Sequence, residues 1–145
     1  MKISKHFALS EMTVSDTAAR RGLKNIPFGK QLENLKATAA KMDAIREHFG
    51  KPIIVTSGYR SPEVNAAVGG SKTSAHCHGL AVDFTCPGFG SPLEVARAIV
   101  AAGFEFDQLI HEFGTWVHIG FAEPGTPSRK QVLTINKRGT LAGLQ

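Results

Sequence analysis

Ser74-Ala75-His76-Cys77-His78-Gly79-Leu80-Ala81-Val82-Asp83 places two imidazoles, a thiol and a carboxylate within ten residues and then enters an apolar run. Leu80 to Thr85 reads as a strand, and a strand turns every second side chain to one face. A carboxylate such as Asp83 inside that run is costly unless it is paired or coordinates a cation. His118 meets the same objection, lying between Trp116-Val117 and Ile119-Gly120-Phe121 in a second apolar strand. Two strands each presenting one ligand-type side chain, with His76 supplied by the preceding loop, predict a rigid site at a sheet edge. Imidazole and carboxylate donors suit zinc, and three protein ligands with an open fourth position form the catalytic arrangement. Cys77 competes for the first position, but neighbouring side chains of an extended segment diverge, which favours His76. His78 stays close enough to be an outer group or an alternative ligand.

The flanking chain supplies the frame. Residues 1–27 read as an irregular lead-in with short helical turns, one capped by Ser15 and stopped by Gly22. Leu32, Leu35, Ala39, Met42, Ile45 and Phe49 recur at three- and four-residue steps, which predicts a helix from Lys30 to Phe49 ended by Gly50. Ile53 to Thr56 is a β-branched strand, and Ser61-Pro62 opens a short helix. Ser71 to His78 reads as a polar loop. Ser91-Pro92 opens a further helix that Gly103 stops. Residues 106–111 and 116–121 read as two strands joined near Gly114-Thr115, Gln131 to Ile135 as a last strand, and the chain from Gly139 as a loose tail.

The 145 residues suffice for one domain with its own core. Fifteen glycines favour a loop-rich α+β or mixed fold over a helical bundle. The net charge of +5 points to an anionic partner, such as nucleic acid, a membrane surface or a bacterial wall polymer. The cations are scattered with little aromatic interleaving, which argues against nucleic acid. Cys77 and Cys86 are expected as free thiols, since a disulfide between them would loop across Asp83. Neither a secretory signal nor an apolar run of membrane-spanning length is visible. A protein made in the cytoplasm and released by other means is expected, with a monomer as its form.

Ser74-x-His76-x-x-Gly79-x-Ala81-x-Asp83 resembles the S-x-H-x-x-G-x-A-x-D signature of the zinc D-alanyl-D-alanine carboxypeptidase family, which also includes phage L-alanyl-D-glutamate endolysins. Trp116-Val117-His118 is similar to that family's second ligand segment, and Ser57-Gly58-Tyr59-Arg60-Ser61 to its substrate-arginine segment. The three occur in family order within residues 30–121. The resemblance implies a hedgehog/DD-peptidase-like α+β fold, a small antiparallel sheet packed against helices with zinc at the sheet. It implies His76, Asp83 and His118 as zinc ligands and bacterial peptidoglycan as the partner. It implies Arg60 as the group that pairs with a substrate carboxylate, a role suited to a planar guanidinium. Tyr59 and Trp116 are expected to line the cleft and Ser74 to shape the loop beside it.

One position departs from the pattern. Many relatives place an acidic general base three residues before the last histidine ligand, where this chain has Thr115. The nearest carboxylate is Glu112, which a hairpin would bring across from His118 and within reach of an attacking water. His111 is the competing base, but strand alternation turns it away from Glu112. The reading is a zinc peptidase, carboxypeptidase or endopeptidase, that cuts a cell-wall stem peptide, as an endolysin does. The alternative is a zinc-stabilised wall-binding module that has lost catalysis.

Overall fold

A computed structural model describes residues 1–145. The helices are α1 (Leu9–Met12), α2 (Asp16–Arg21), α3 (Lys30–Phe49), α4 (Pro62–Ala67) and α5 (Pro92–Ala102). The strands are β1 (Ile54–Ser57), β2 (Ala81–Thr85), β3 (Gln108–Glu112), β4 (Trp116–Gly120), β5 (Gln131–Asn136) and β6 (Gly139–Ala142). They form one six-stranded sheet in the order β1-β2-β4-β3-β5-β6. No helix is long and apolar enough to cross a membrane.

The helix signals in the sequence act where they stand. Ser15, Ser61 and Ser91 each accept a backbone N–H three residues on, which satisfies donors that the first turn leaves free. Gly50 and Gly103 close α3 and α5 in the left-handed conformation that glycine adopts without strain. One face of the sheet, carrying Val82, Phe84, Leu109, Val117 and Ile119, packs with Leu35, Met42 and Ile45 of α3 and Val95 and Ile99 of α5. The lead-in joins this core through Phe7 and Met12, both essentially inaccessible. The Asp43 carboxylate fastens it to α3 by accepting from Ser4 Oγ and from the backbone N–H groups of Lys5 and His6.

The architecture is α+β as expected, with two corrections to the sheet. It is mixed, not purely antiparallel, because β5 runs parallel to β3. β4 already has β2 on its far side, so the free edge is that of β3. Residues 121–130 carry the chain back to where β3 begins, and Lys130 and Gln131 donate to the Phe106 and Asp107 carbonyls. The second correction concerns the tail. Residues 139–142 are not loose but form β6, pairing Asn136 with Gly139 across a tight turn that Gly139 enters with φ 104°. The loop expected over 71–78 ends in a 3-10 turn, Ala75–His78, which Ser74 caps at His76 N–H and Gly79 closes with φ 73°.

Gly58, between β1 and α4, lies against α1 so closely that a Cβ would overlap the Met12 carbonyl. Tyr59 N–H donates to that same carbonyl at 2.8 Å. Gly58→Ala therefore forces backbone apart, an overpacking cost of about 2 kcal/mol. For a chain of this size a lowering of Tm by about 4–8 °C is expected in a thermal melt. An unchanged Tm would mean that α1 is not held against this strap.

Candidate metal centre and active site

Strand alternation separates the core from the chemistry. While Val82, Phe84, Val117, Ile119 and Leu109 face the helices, Asp83, His118, Trp116, Gln108, Ile110 and Glu112 face a cleft of about 520 Å³ on the opposite side. Asp83 and His118 are direct partners in the β2–β4 pairing, so backbone hydrogen bonding alone places their side chains together. Both strands lie inside the sheet, with β1 and β3 outside them. The site is thus in the sheet's interior and not at its edge, since β1 and β3 continue the hydrogen bonding on either side.

His76 comes from the 3-10 turn and is 2% exposed. Its Nδ1 lies 2.7 Å from the Gly58 carbonyl oxygen, which can only accept, so Nδ1 carries the hydrogen. Burial lowers the His76 pKa against the opposing pull of Asp83 and favours the neutral ring. Nε2 then presents a bare lone pair to Asp83 Oδ1 at 3.2 Å. His118 Nδ1 reaches the same oxygen at 2.9 Å. Burial works against the charge on Asp83, but the adjoining His118 and His76 rings outweigh it and hold the carboxyl well below the usual range.

A neutral imidazole lone pair facing a carboxylate repels it unless a cation or proton stands between them. Ligand atoms around a tetrahedral ion with bonds of ~2.0–2.1 Å are ~3.3 Å apart, close to the observed separations. The ligand atoms of His76, Asp83 and His118 all lie within 4.8 Å of one another. An oriented imidazole with its second nitrogen on a backbone carbonyl is the usual support of a metal-binding histidine. The donor set fits a zinc ion.

Glu112 lines the same cleft. Its place differs from expectation in register: its direct partner is Trp116, while His118 pairs with Ile110. Glu112 therefore stands diagonally to His118 on the shared face, one pleat further along. Burial, and then the Asp83 charge, push its pKa up, while His118 and Arg60 oppose them. His111 is turned to the opposite face and is buried. Thr115 sits in the β3–β4 turn and donates its hydroxyl to the Phe113 carbonyl.

Arg60 also lines the cleft, and its Nη2 donates to Ser74 Oγ at 3.3 Å. Ser74 Oγ in turn accepts His76 N–H, and Arg60 N–H donates to the His76 carbonyl, so the arginine and the ligand turn are held as one unit. Trp116 forms part of the cleft wall. Tyr59 does not. It is 1% exposed within the core, and its hydroxyl donates to Gln31 Oε1, because adjacent residues of an extended strap point to opposite sides. Cys77 and His78 line a different cavity, beside Gln31, Pro62 and Asn65, since the 3-10 turn rotates them away from His76. Both cysteines are unpaired.

Asp107 and Arg129, which the sequence gives no distinguishing context and leaves as a structural or solvated carboxylate and a scattered cation, reach the cleft as an ion pair at 2.8 Å. They lie 22 positions apart, and no local pattern announces their meeting.

No curated protein matches the chain. The family model described as Peptidase M15 matches residues 5–120, which include every residue of the cluster and its cleft neighbours Arg60, Ser74, Glu112 and Trp116. With that match over most of its length, the chain belongs to the M15 peptidases, a family of metal-dependent peptidases.

Proposed function

We propose that this protein is a zinc-dependent peptidase of bacterial peptidoglycan, acting on the stem peptide in the manner of an endolysin. The observation that carries the reading is the meeting of His76, Asp83 and His118 with Glu112 and Arg60 in one cleft. His76, Asp83 and His118 would hold a zinc ion, and it would supply a Lewis acid for the carbonyl and for acidifying water. The chain does the rest. Glu112 accepts a proton from the attacking water and returns it to the leaving amine. Arg60, steadied by Ser74, pairs with a substrate carboxylate and so positions the reacting bond. Trp116 walls the cleft beside Glu112. The place of Glu112 supports catalysis over an inactive wall-binding module, the reading that Thr115 at the family's usual base position would favour.

Purified peptidoglycan digested with and without a chelator tests the proposal, with new termini identified by mass spectrometry. Peptide release that stops on chelation and returns with added zinc is expected. Wall binding without any new termini would favour the module instead.

A further inference from the structure

A peptidase of this kind removes a terminal residue or cuts within the peptide, and the cleft differs between its two sides in a way that bears on the choice. Arg60 follows the C-terminal end of β1, and Arg129 lies two residues before β5 begins. In the order β1-β2-β4-β3-β5, His118 on β4 is midway between those strands. Neighbouring strands are ~4.8 Å apart, so four steps separate β1 and β5 by ~19 Å. An extended peptide advances ~3.3 Å per residue, so roughly six residues cover that span. Arg60 and Arg129 both line the cleft of about 520 Å³ that holds the ligand cluster. The cleft thus continues past the cluster on the β3–β5 side, where a pocket made only for a terminal residue would close.

Arg129 is held in place there. Its Nε donates to both Asp107 oxygens at 3.1 Å, its Nη2 to Oδ2 at 2.8 Å, and its backbone N–H to Oδ1 at 3.1 Å. A guanidinium has five N–H donors, and this pairing leaves both of those on Nη1 and one on Nη2. The side chain is 61% exposed, so these remaining donors are open to a ligand. An arginine already aligned by a carboxylate loses little further freedom when it binds a second one. Arg129 lies beyond the residues matched by the family model.

We propose that Arg129, aligned by Asp107, is a second carboxylate-binding residue across the His76–Asp83–His118 cluster from Arg60, and that the protein cuts an internal bond of an acidic peptide. The inference rests on the peptidase reading. In the reaction, water adds across one amide. The carbonyl carbon gains the hydroxyl oxygen, the C–N bond breaks, the nitrogen leaves with the proton, and each product keeps a carboxylate on its own arginine.

The test uses the zinc-loaded full chain and a cross-linked stem-peptide dimer, with analogues in which each carboxylate in turn is an amide. Wild type should cut the dimer internally, and two analogues, one for each arginine, should show a KM about tenfold higher. Arg129→Gln should raise the KM for the parent dimer by a similar factor, leave kcat within about twofold, and lose all discrimination against one of these analogues while keeping that against the other. Arg129→Lys, which keeps the charge without the fork, should recover only part of it. A merely structural Arg129 would weaken parent and analogues alike. Release of C-terminal residues only, or discrimination unchanged in Arg129→Gln, would overturn the inference and leave the peptidase standing. Failure to cut any peptide or intact wall would overturn both.

Discussion

Asp83→Ala protein is expected to purify without stoichiometric metal and to lose on the order of a thousandfold in kcat/KM on wall peptides. Asp83 is the one carboxylate of the cluster, and its Oδ1 is approached by both imidazoles, at 3.2 and 2.9 Å. Without it, two imidazole rings with centroids 5.1 Å apart remain, and the ligand set loses its only negative charge to offset a divalent cation. A bound metal contributes several kcal/mol of transition-state stabilisation. Losing ~4 kcal/mol corresponds to about a thousandfold in rate. The substitution should leave the fold intact, since the pairing of β2 with β4 is made by backbone and Ala81 already fits the same face. His78→Ala is the control. Its ring lines the other cavity, so metal content and turnover should match wild type. Elemental analysis together with a peptide-release assay checks both, and full metal occupancy in Asp83→Ala would refute the ligand set.

The site was legible to the extent that its chemistry conflicts with its surroundings. Asp83 and His118 stand out because each interrupts an apolar strand, and the same alternation that exposes the conflict places them together on one face. Helix boundaries were legible because serine caps and glycine stops act within one turn. What escaped reading depends on contacts between distant residues. The parallel pairing of β5 with β3 follows from which edge of the sheet is free, a fact no local pattern carries. The four residues of β6 are too few to show a periodicity. Tyr59, expected in the cleft wall, adjoins Arg60, and adjacency in an extended strap means opposite faces.

The error over Glu112 is of a different kind, because its cause is the shape of one turn. The β3–β4 connection has three residues, with Phe113 at φ 53° and Gly114 at φ 64°. That turn pairs Glu112 with Trp116 and moves His118 two residues beyond direct opposition. A slip of two keeps the face and changes only the position along it, whereas a slip of one would have buried the carboxylate in the core. The expected neighbourhood of Glu112 and His118 therefore survived an incorrect register.

Glu112→Gln should then separate metal binding from proton transfer. The amide keeps the shape of the side chain but cannot accept a proton, so kcat should fall by ~10²–10⁴ while metal content and Tm stay at wild-type values. The pH profile gives a second readout. Burial is the larger cause of the raised Glu112 pKa and the Asp83 charge the smaller one. A divalent cation on Asp83 more than cancels the smaller cause and draws the pKa down against the larger. A base works only when deprotonated, so wild-type activity should fall as pH drops through the Glu112 pKa. In Glu112→Gln that acid limb should vanish from the residual rate. Asp107→Asn, which alters a carboxylate of the same cleft away from the cluster, should leave the limb in place. A Glu112→Gln enzyme with undiminished kcat and an unchanged acid limb would remove Glu112 from the chemistry and return the search for a base to the other groups of the cleft.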